Sequence, residues 1–378
     1  MTANHQDQMK LALASAQIAY TPQYSITPTA QMSLENIDRD RWAFDRLIID
    51  PKYEGWLRRR AFIRSGHHSL HLEGSRLTEE QVAGILESSR GEIDGLESQQ
   101  ETDVRNWDQA MRFVDSMSTN GDSPITPLLM RHIHQLMLGQ NDRQNTPGEY
   151  RRGEARVRHP VSRKLVYRGP PAGDVPDLVQ QFGNWLRDSA SACHPVLAAG
   201  IAHLRFVEIH PFVDGNGRTT RALTTLMLQR QGYSFNRLLA LEHYFDLDIV
   251  KYCDAIGGTV GDSFQEGRDL TSWLEYFTFA LAVEVGLASD AVVDLRRKME
   301  GWHTALSKKG YNERLRDILA YAVINQSIRP RDIVRIAGVS SVTASTDLKH
   351  LADAKLLEGV GSGRARVYRP TESFWEQL

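Results

Sequence analysis

The sequence predicts a mainly α-helical protein with one β-hairpin set among the helices and a small helix-plus-hairpin unit near the C-terminal end. Three observations predict it. Apolar residues recur at helical spacing through most of the chain from Trp42 onward. Ala155-Arg-Val-Arg-His159 and Lys164-Leu-Val-Tyr-Arg168 alternate in polarity on either side of residues 160–163, which is a hairpin pattern. Beyond Tyr311, three short helical segments precede a second alternating stretch from Leu356 to Pro370.

In chain order, residues 1–40 are polar and turn-rich, with Pro22 and Pro28, and read as an N-terminal arm. Residues 41–120 read as an N-terminal helical region. Within it, Arg58 to Leu72 predicts a helix that stops near Gly74. Leu77 to Leu86 predicts the next, with Thr78 as N-cap and Gln81 three residues on as its capping-box partner. Helical patterns follow at about 101–118 and 127–138. Pro147-Gly-Glu-Tyr-Arg-Arg-Gly153 is turn-like and leads into the first hairpin, which Gly169-Pro-Pro171 ends. Helices resume at about 174–188, 195–209 and 218–231, the last stopped by Gly232, and a helical region runs to about 300. These close a core over residues 121–300. Residues 311–378 make the last unit. Its helices are Leu315–Asn325, Arg329–Ala337 and Val342–Ala354, and its hairpin bends at Gly359, Gly361 and Gly363. Three helices and then a hairpin form a winged helix-turn-helix pattern. In the third helix Ser341, Thr343, Ser345, Thr346 and Lys349 are expected outward, and Val342, Leu348 and Leu351 inward.

Composition narrows the function classes. The chain has 378 residues, 41% hydrophobic and 24% charged, which is ordinary for a globular protein of two or three units. A formal net charge of -2 argues against a polycation that coats nucleic acid. The first residues lack the charged and apolar blocks of a signal peptide. The longest apolar run, Phe277 to Ala288, contains Glu284 and falls short of the roughly 20 residues of a membrane span, so no membrane is expected as a partner. Cys193 and Cys253 make neither a disulfide framework nor a zinc cluster. They are expected as reduced thiols in a cytoplasmic protein.

The chemistry concentrates in His210-Pro-Phe-Val-Asp-Gly-Asn-Gly-Arg218. Gly215, Asn216 and Gly217 sit just before a helix N-terminus, where unpaired backbone amides and the helix dipole favour an anion. Arg218 and Arg221 are three apart and share a face of that helix. Two guanidiniums beside an amide nest suit a polyphosphate better than a lone carboxylate. Asp214 is a hard oxygen ligand next to such phosphates, as Mg²⁺ prefers. His210 can take a proton from a hydroxyl at neutral pH, given an ordinary pKa of about 6.5.

That string resembles the full signature of the Fic (filamentation induced by cAMP) family, HPFx(D/E)GN(G/K)R. The helix Ala202 to Ile209 resembles the one leading into the family's motif. Pro147 to Arg151 and the hairpin 155–168 resemble its substrate-clamping flap. The resemblance spans roughly residues 40 to 290. It implies a Fic-type helical core and protein adenylylation, the transfer of AMP from ATP to a Ser, Thr or Tyr hydroxyl of a target protein or of the chain itself. By the same resemblance His210 is the base and Asp214 holds Mg²⁺. The amides around Gly215, Asn216 and Gly217 cradle phosphates, Arg218 stabilises their charge during displacement, and Arg221 orients the γ-phosphate. The flap strand at Val157 pairs with the target's backbone, and Tyr252 is similar to a family tyrosine near the adenine.

Ser69-Leu-His-Leu-Glu73-Gly74 resembles the family's inhibitory motif, (S/T)xxxE(G/N). If Glu73 occupies Arg221, a γ-phosphate cannot, and ATP binds out of line. A misplacement of about 1 Å can cost on the order of 10²-fold in rate. Some relatives use the equivalent glutamate to remove AMP, so de-AMPylation stays open beside AMPylation. His67 and His68, near Glu73, do not read as a metal pair, because adjacent helical residues are expected to point apart.

Between Arg314 and Pro370 ten Lys or Arg face five acidic residues, a net +5, which leaves the rest of the chain near -7. A basic patch on such a unit suits DNA phosphates, with Arg364 and Arg366 on the wing; packing on the core or binding a protein partner is the alternative. Trp185, Trp273 and Trp302 fit core spacing, and Gly359 to Arg364 is expected as a wing turn. Two rivals to the adenylyltransferase reading stay open: a DNA-binding regulator with a nucleotide-sensing core, and a transferase for another nucleotidyl group. Self-association into a homo-oligomer is also open.

Overall fold

Pro195–Ile209, the helix before the signature loop, is mostly apolar, and nearly all its side chains are buried, including the Arg205–Glu208 ion pair. A helix of that kind belongs in the middle of a helical core. The computed structural model of the chain describes residues 20–44, 46, 50–88, 99–119, 123–139, 142, 144–159, 162, 164–363, 366–372 and 374. Its elements in order are α1 (Pro28–Phe44), α2 (Pro51–His71), α3 (Glu79–Glu87), α4 (Gln99–Ser118), α5 (Pro127–Leu138), β1 (Arg156–Arg158), β2 (Leu165–Arg168), α6 (Val175–Asp188), α7 (Pro195–Ile209), α8 (Asn216–Arg230), α9 (Leu241–Leu247), α10 (Ile249–Val260), α11 (Thr271–Lys308), α12 (Glu313–Asn325), α13 (Pro330–Ala337), α14 (Ser341–Asp353), β3 (Leu357–Val360) and β4 (Val367–Pro370). The mainly helical fold expected from the sequence is the fold observed.

The chain divides into two units. The first holds the described residues up to Trp42 together with Ile63–Phe235 and Leu239–Val285. Here α7 packs with α8, and α4 and α5 pack with α8 and with each other. Trp273 is fully buried, and its indole N–H donates to Gly200 O at 2.7 Å. β1 and β2 pair antiparallel as Arg156↔Arg168, Val157↔Tyr167 and Arg158↔Leu165, with the register shifting after Val157. Thr78 and Gln81 close the expected capping box at the start of α3.

The second unit holds Ala43–Phe62, Asn236–Leu238 and the chain from Gly286. Its core gathers Trp302, Ile318, Leu319, Ile333, Ala344, Leu348, Leu351 and Phe374, with Tyr53 joining them. β3 and β4 pair antiparallel, Leu357↔Pro370 to Val360↔Val367, and Ile328 adds a bridge to Tyr368.

Several details differ from the sequence reading. The stretch read as an arm contains α1. Thr27 Oγ1 accepts from Ala30 N at its start, Pro28 fills the first helical position, and Ala30, Leu34 and Ile37 are buried at helical spacing. Residues 1–19 of that arm lie outside the described residues. α2 begins at Pro51, earlier than expected. Val342 is 75% exposed rather than inward, because Ala344, Asp347, Leu348 and Leu351 form the inner face of α14 and Val342 lies off it. Arg364 lies outside the described residues. Thr271–Arg297 is long and apolar enough to cross a membrane by length and composition, although Trp273, Leu274, Phe277, Ala280, Leu281 and Val285 are buried.

Candidate active site

His210 ends α7 in the left-handed region, at φ 48° and ψ 61°. A non-glycine residue is strained there and needs support from its surroundings. Arg151 supplies it. Its buried guanidinium donates to His210 O (2.8 Å), Gly153 O (2.8 Å), Pro170 O (2.6 Å) and Ile209 O (3.4 Å), and its backbone N–H donates to Pro211 O (2.9 Å). One side chain thereby ties the turn before the flap to the start of the loop. His210 Nδ1 donates to Val207 O at 3.3 Å, which leaves the Nε2 lone pair as the acceptor. Burial pushes the imidazole pKa down to about 4, so the ring is neutral at neutral pH.

The loop is closed by its own asparagine. Phe212 N donates to Asn216 Oδ1 (3.0 Å) and Asn216 Nδ2 donates to Phe212 O (2.9 Å). The Asn216 side chain is consumed by the turn, and what it offers a ligand is its backbone amide. Gly215 has φ 73°, and a Cβ there would press on Leu138 and His134. His134 of α5 lies under the loop, stacked on Phe212 with ring centroids 3.6 Å apart. Its Nε2 donates to Asp214 O (2.9 Å) and its Nδ1 accepts from Gly148 N (2.9 Å), which one neutral tautomer satisfies. Burial holds its pKa down to about 4.

Gly215 caps α8 with no side-chain hydrogen bond, so the first-turn amides of Asn216, Gly217 and Arg218 point at an anion site. Arg218 Nη2 bonds Asp214 Oδ2 at 3.0 Å, and its Nη1 is 3.7 Å from Asp103 Oδ1. Among the described residues, Arg218 Nε is buried without a hydrogen-bond partner. Arg221, one turn deeper, is filled from α2 and the turn after it. Its Nε donates to Ser69 Oγ (3.0 Å), and its Nη2 donates to Ser69 O (2.8 Å) and to Glu73 Oε1 (2.8 Å). Glu73 lies over the helix start closely enough that a Cβ on Gly217 would collide with its Oε1. Burial alone would raise the Glu73 pKa; attraction to Arg221 and then Arg218 outweighs it and holds the carboxyl below its usual range. Gly74 follows at φ 96°, and the N–H groups of Gly74 and Ser75 close the end of α2 on His71 O (2.8 Å) and Leu70 O (3.1 Å).

The structure therefore brings together His210, Asp214, Gly215, Asn216, Gly217, Arg218, Arg221, Ser69, Glu73 and Gly74. Val157 stands on the hairpin, opposite Tyr167, whose hydroxyl donates to Glu208 O at 2.7 Å. Tyr252 is buried, stacked on Phe245 at 4.4 Å and bonded through its hydroxyl to His203 Nε2 at 2.8 Å. Burial pushes its phenol pKa up, against the opposing charge of Arg221 nearby. The sequence reading missed Arg151, His134 and Asp103. Arg151 stands in the turn it singled out before the hairpin, which was the available signal; His134 and Asp103 sit in ordinary helical patterns that carry none.

A neutral histidine, an uncapped helix start and two arginines define a site for phosphate-group chemistry. Residues 124–228 match the family model described as Fic/DOC family. It is 35% identical to the protein adenylyltransferase Fic of Drosophila melanogaster over 205 residues, 53% of this chain and 39% of that protein. It is 32% identical to the Aedes aegypti protein of the same name over 204 residues, 54% and 39% respectively. The matched part thus spans about two fifths of those relatives. A Fic family protein from Desulfovibrio desulfuricans G20 has a similar fold, with TM-score 0.57 and 23% identity over 93% of this chain and 99% of that one. Fic-1 (aa134–508) from C. elegans is similar at TM-score 0.57, with 21% identity over 79% of each chain.

Proposed function

We propose that the chain is a protein adenylyltransferase restrained by its own Glu73. One observation carries the reading: Glu73 occupies Arg221 at the start of α8, where a nucleotide's terminal phosphate would need that arginine. The relatives named above support the chemistry. His210 Nε2 takes the proton of the target hydroxyl as its oxygen attacks the α-phosphorus, and pyrophosphate leaves. The first-turn amides and Arg218 stabilise charge on the phosphates. Asp214, half exposed beside the amide cradle, offers one carboxylate oxygen set, which with phosphate oxygens fits the donor set of Mg²⁺. The ion, when bound, neutralises phosphate charge. β1 pairs only with β2 among the described strands, so its outer edge is available to an extended target segment near Val157. Free Cys193 and Cys253 support a reducing, cytoplasmic setting.

Intact-protein mass spectrometry after incubation with ATP and Mg²⁺ tests this. Glu73→Gly is expected to gain the mass of AMP faster than the wild type, and His210→Ala in that background to gain none. Equal labelling of all three sinks the assignment; a different increment names another donor, and loss of AMP from a modified target names the reverse reaction.

A second activity is supported by the C-terminal unit. Helices α12 to α14 and the β3–β4 hairpin follow the winged-helix order, and Ser341, Val342, Ser345, Thr346 and Lys349 are exposed along α14. With the net positive charge of this stretch, that face suits duplex DNA. Binding that weakens steeply with salt supports it, and no binding at low salt removes it.

A further inference from the structure

His67 and His68 do not point apart. Their ring centroids are 4.7 Å apart, His71 stacks on His67 at 5.8 Å, and His243 of α9 meets His68 at 4.8 Å. Three of these four histidines belong to the last turns of α2, the helix that delivers Ser69 and Glu73 to Arg221. Among the described residues no three His, Cys, Asp or Glu side chains stand where they could share a metal ion, so the cluster needs another account.

Asp246 of α9 organises it. His68 Nδ1 donates to its Oδ2 at 2.7 Å, and His71 Nδ1 reaches Oδ1 at 2.7 Å and Oδ2 at 2.9 Å. The Asp246 side chain is nearly buried, so the two imidazoles are its principal solvation. These bonds bracket Ser69, and His71 lies two residues before Glu73. We propose that Asp246, through His68 and His71, is a proton-sensitive latch that positions the Glu73-bearing end of α2 against Arg221. This rests on the reading of Glu73 as a brake.

The charged surroundings favour such a latch. From α2, Arg64 and His67 face the cluster; from α3, Glu79 Oε1 lies 3.8 Å from His68 Nε2. From α9 come Glu242 and His243, and from α11 Glu284, which bonds His243 Nδ1 at 2.6 Å. Arg64 contacts His243 and stands 3.8 Å from Glu284. Burial, and then His68, keeps His67 easily deprotonated, while burial pushes the Glu242 carboxyl pKa up. His68 and His71 are left as the imidazoles on Asp246, while His243 sits on Glu284. Once protonated, an imidazole holds a carboxylate by charge as well as by hydrogen bond. The brake is therefore tighter when the pair carries a proton and looser when it does not.

The test measures self-labelling with AMP from pH 5.5 to 8.5 and divides the wild-type rate by that of Glu73→Gly, which removes the pH dependence of the chemistry itself. The ratio is expected to rise with pH, and Asp246→Asn to raise it about five- to tenfold at the acid end and to flatten the profile, given the worth of a charge-assisted hydrogen bond. Asp246→Glu should restore the slope in part. His71→Gln, at a half-exposed position, provides the same test should Asp246→Asn fold poorly. A flat ratio, with Asp246→Asn and His71→Gln both as slow as wild type while Glu73→Gly is fast, overturns the latch and leaves the brake standing. No acceleration in Glu73→Gly overturns the brake itself, and the latch with it.

Discussion

The two arginines that open α8 sit one turn apart, yet they are held in different ways. Arg218 pairs with Asp214, four residues back in the same loop, and Asp214 is half exposed. Arg221 is buried and satisfied from 148 and 152 residues away by Glu73 and Ser69. The first pair forms whenever the loop and helix form, and a bound phosphate can compete for it with little rearrangement. The second exists only when α2 docks, and Arg221 cannot turn to a ligand unless an entire helix end yields. A locally paired cation is ready for chemistry, and a remotely paired one can be regulated.

Substitutions on the two sides test that contrast. The largest effect is expected from Arg221→Ala in the Glu73→Gly background, which should lower labelling on the order of 10²-fold through loss of a charged phosphate contact. Retained labelling would mean that Arg221 serves only the brake. Asp214→Asn in the same background should cost about tenfold or more, recoverable in part by raising Mg²⁺, as expected of a lost metal ligand; a loss insensitive to Mg²⁺ would move Asp214 to a purely structural role. Ser69→Ala in the otherwise wild-type chain removes one of the bonds that hold Arg221 and should raise labelling only about fivefold, the worth of roughly one hydrogen bond. A larger rise would make Ser69, rather than Glu73, the principal restraint.

The smallest effect concerns stability. Burial holds His134 and His210 down to about 4 and His203 to about 3. The unfolded chain takes up these protons near pH 6.5 and the folded chain does not, so stability falls as pH drops from about 6.5 toward 4. The melting temperature should fall by several degrees over that window, less in His134→Gln. A flat profile would mean that these rings are charged or solvated in the fold.

Some of this was legible in the chain alone because the interactions are short in sequence. The capping box at Thr78 and Gln81, the Gly215 turn and the helix that follows it depend on neighbours within four residues. The hairpin at 155–168 and the helices at 127–138 and 195–209 were readable from period and turn chemistry for the same reason. α1 was obscured by its polar composition, although Thr27-Pro28 carries a helix-start signal. The inward placement expected for Val342 failed because it stands six residues before Leu348, about 120° away around the helix, whereas Ala344, Leu348 and Leu351 recur on one face.

By itself the sequence determined the nine-residue loop, the two arginines on one helix face and the glycines that let the backbone turn. Covalent neighbours and dihedral limits decide those features before the chain packs. Only the tertiary structure decided that Arg151 would brace the strained His210 carbonyl, that His134 would stack beneath Phe212, and that His68 and His71 would share Asp246. These contacts join segments far apart in the chain, and packing brings such segments together through many apolar contacts that no spacing along the sequence encodes.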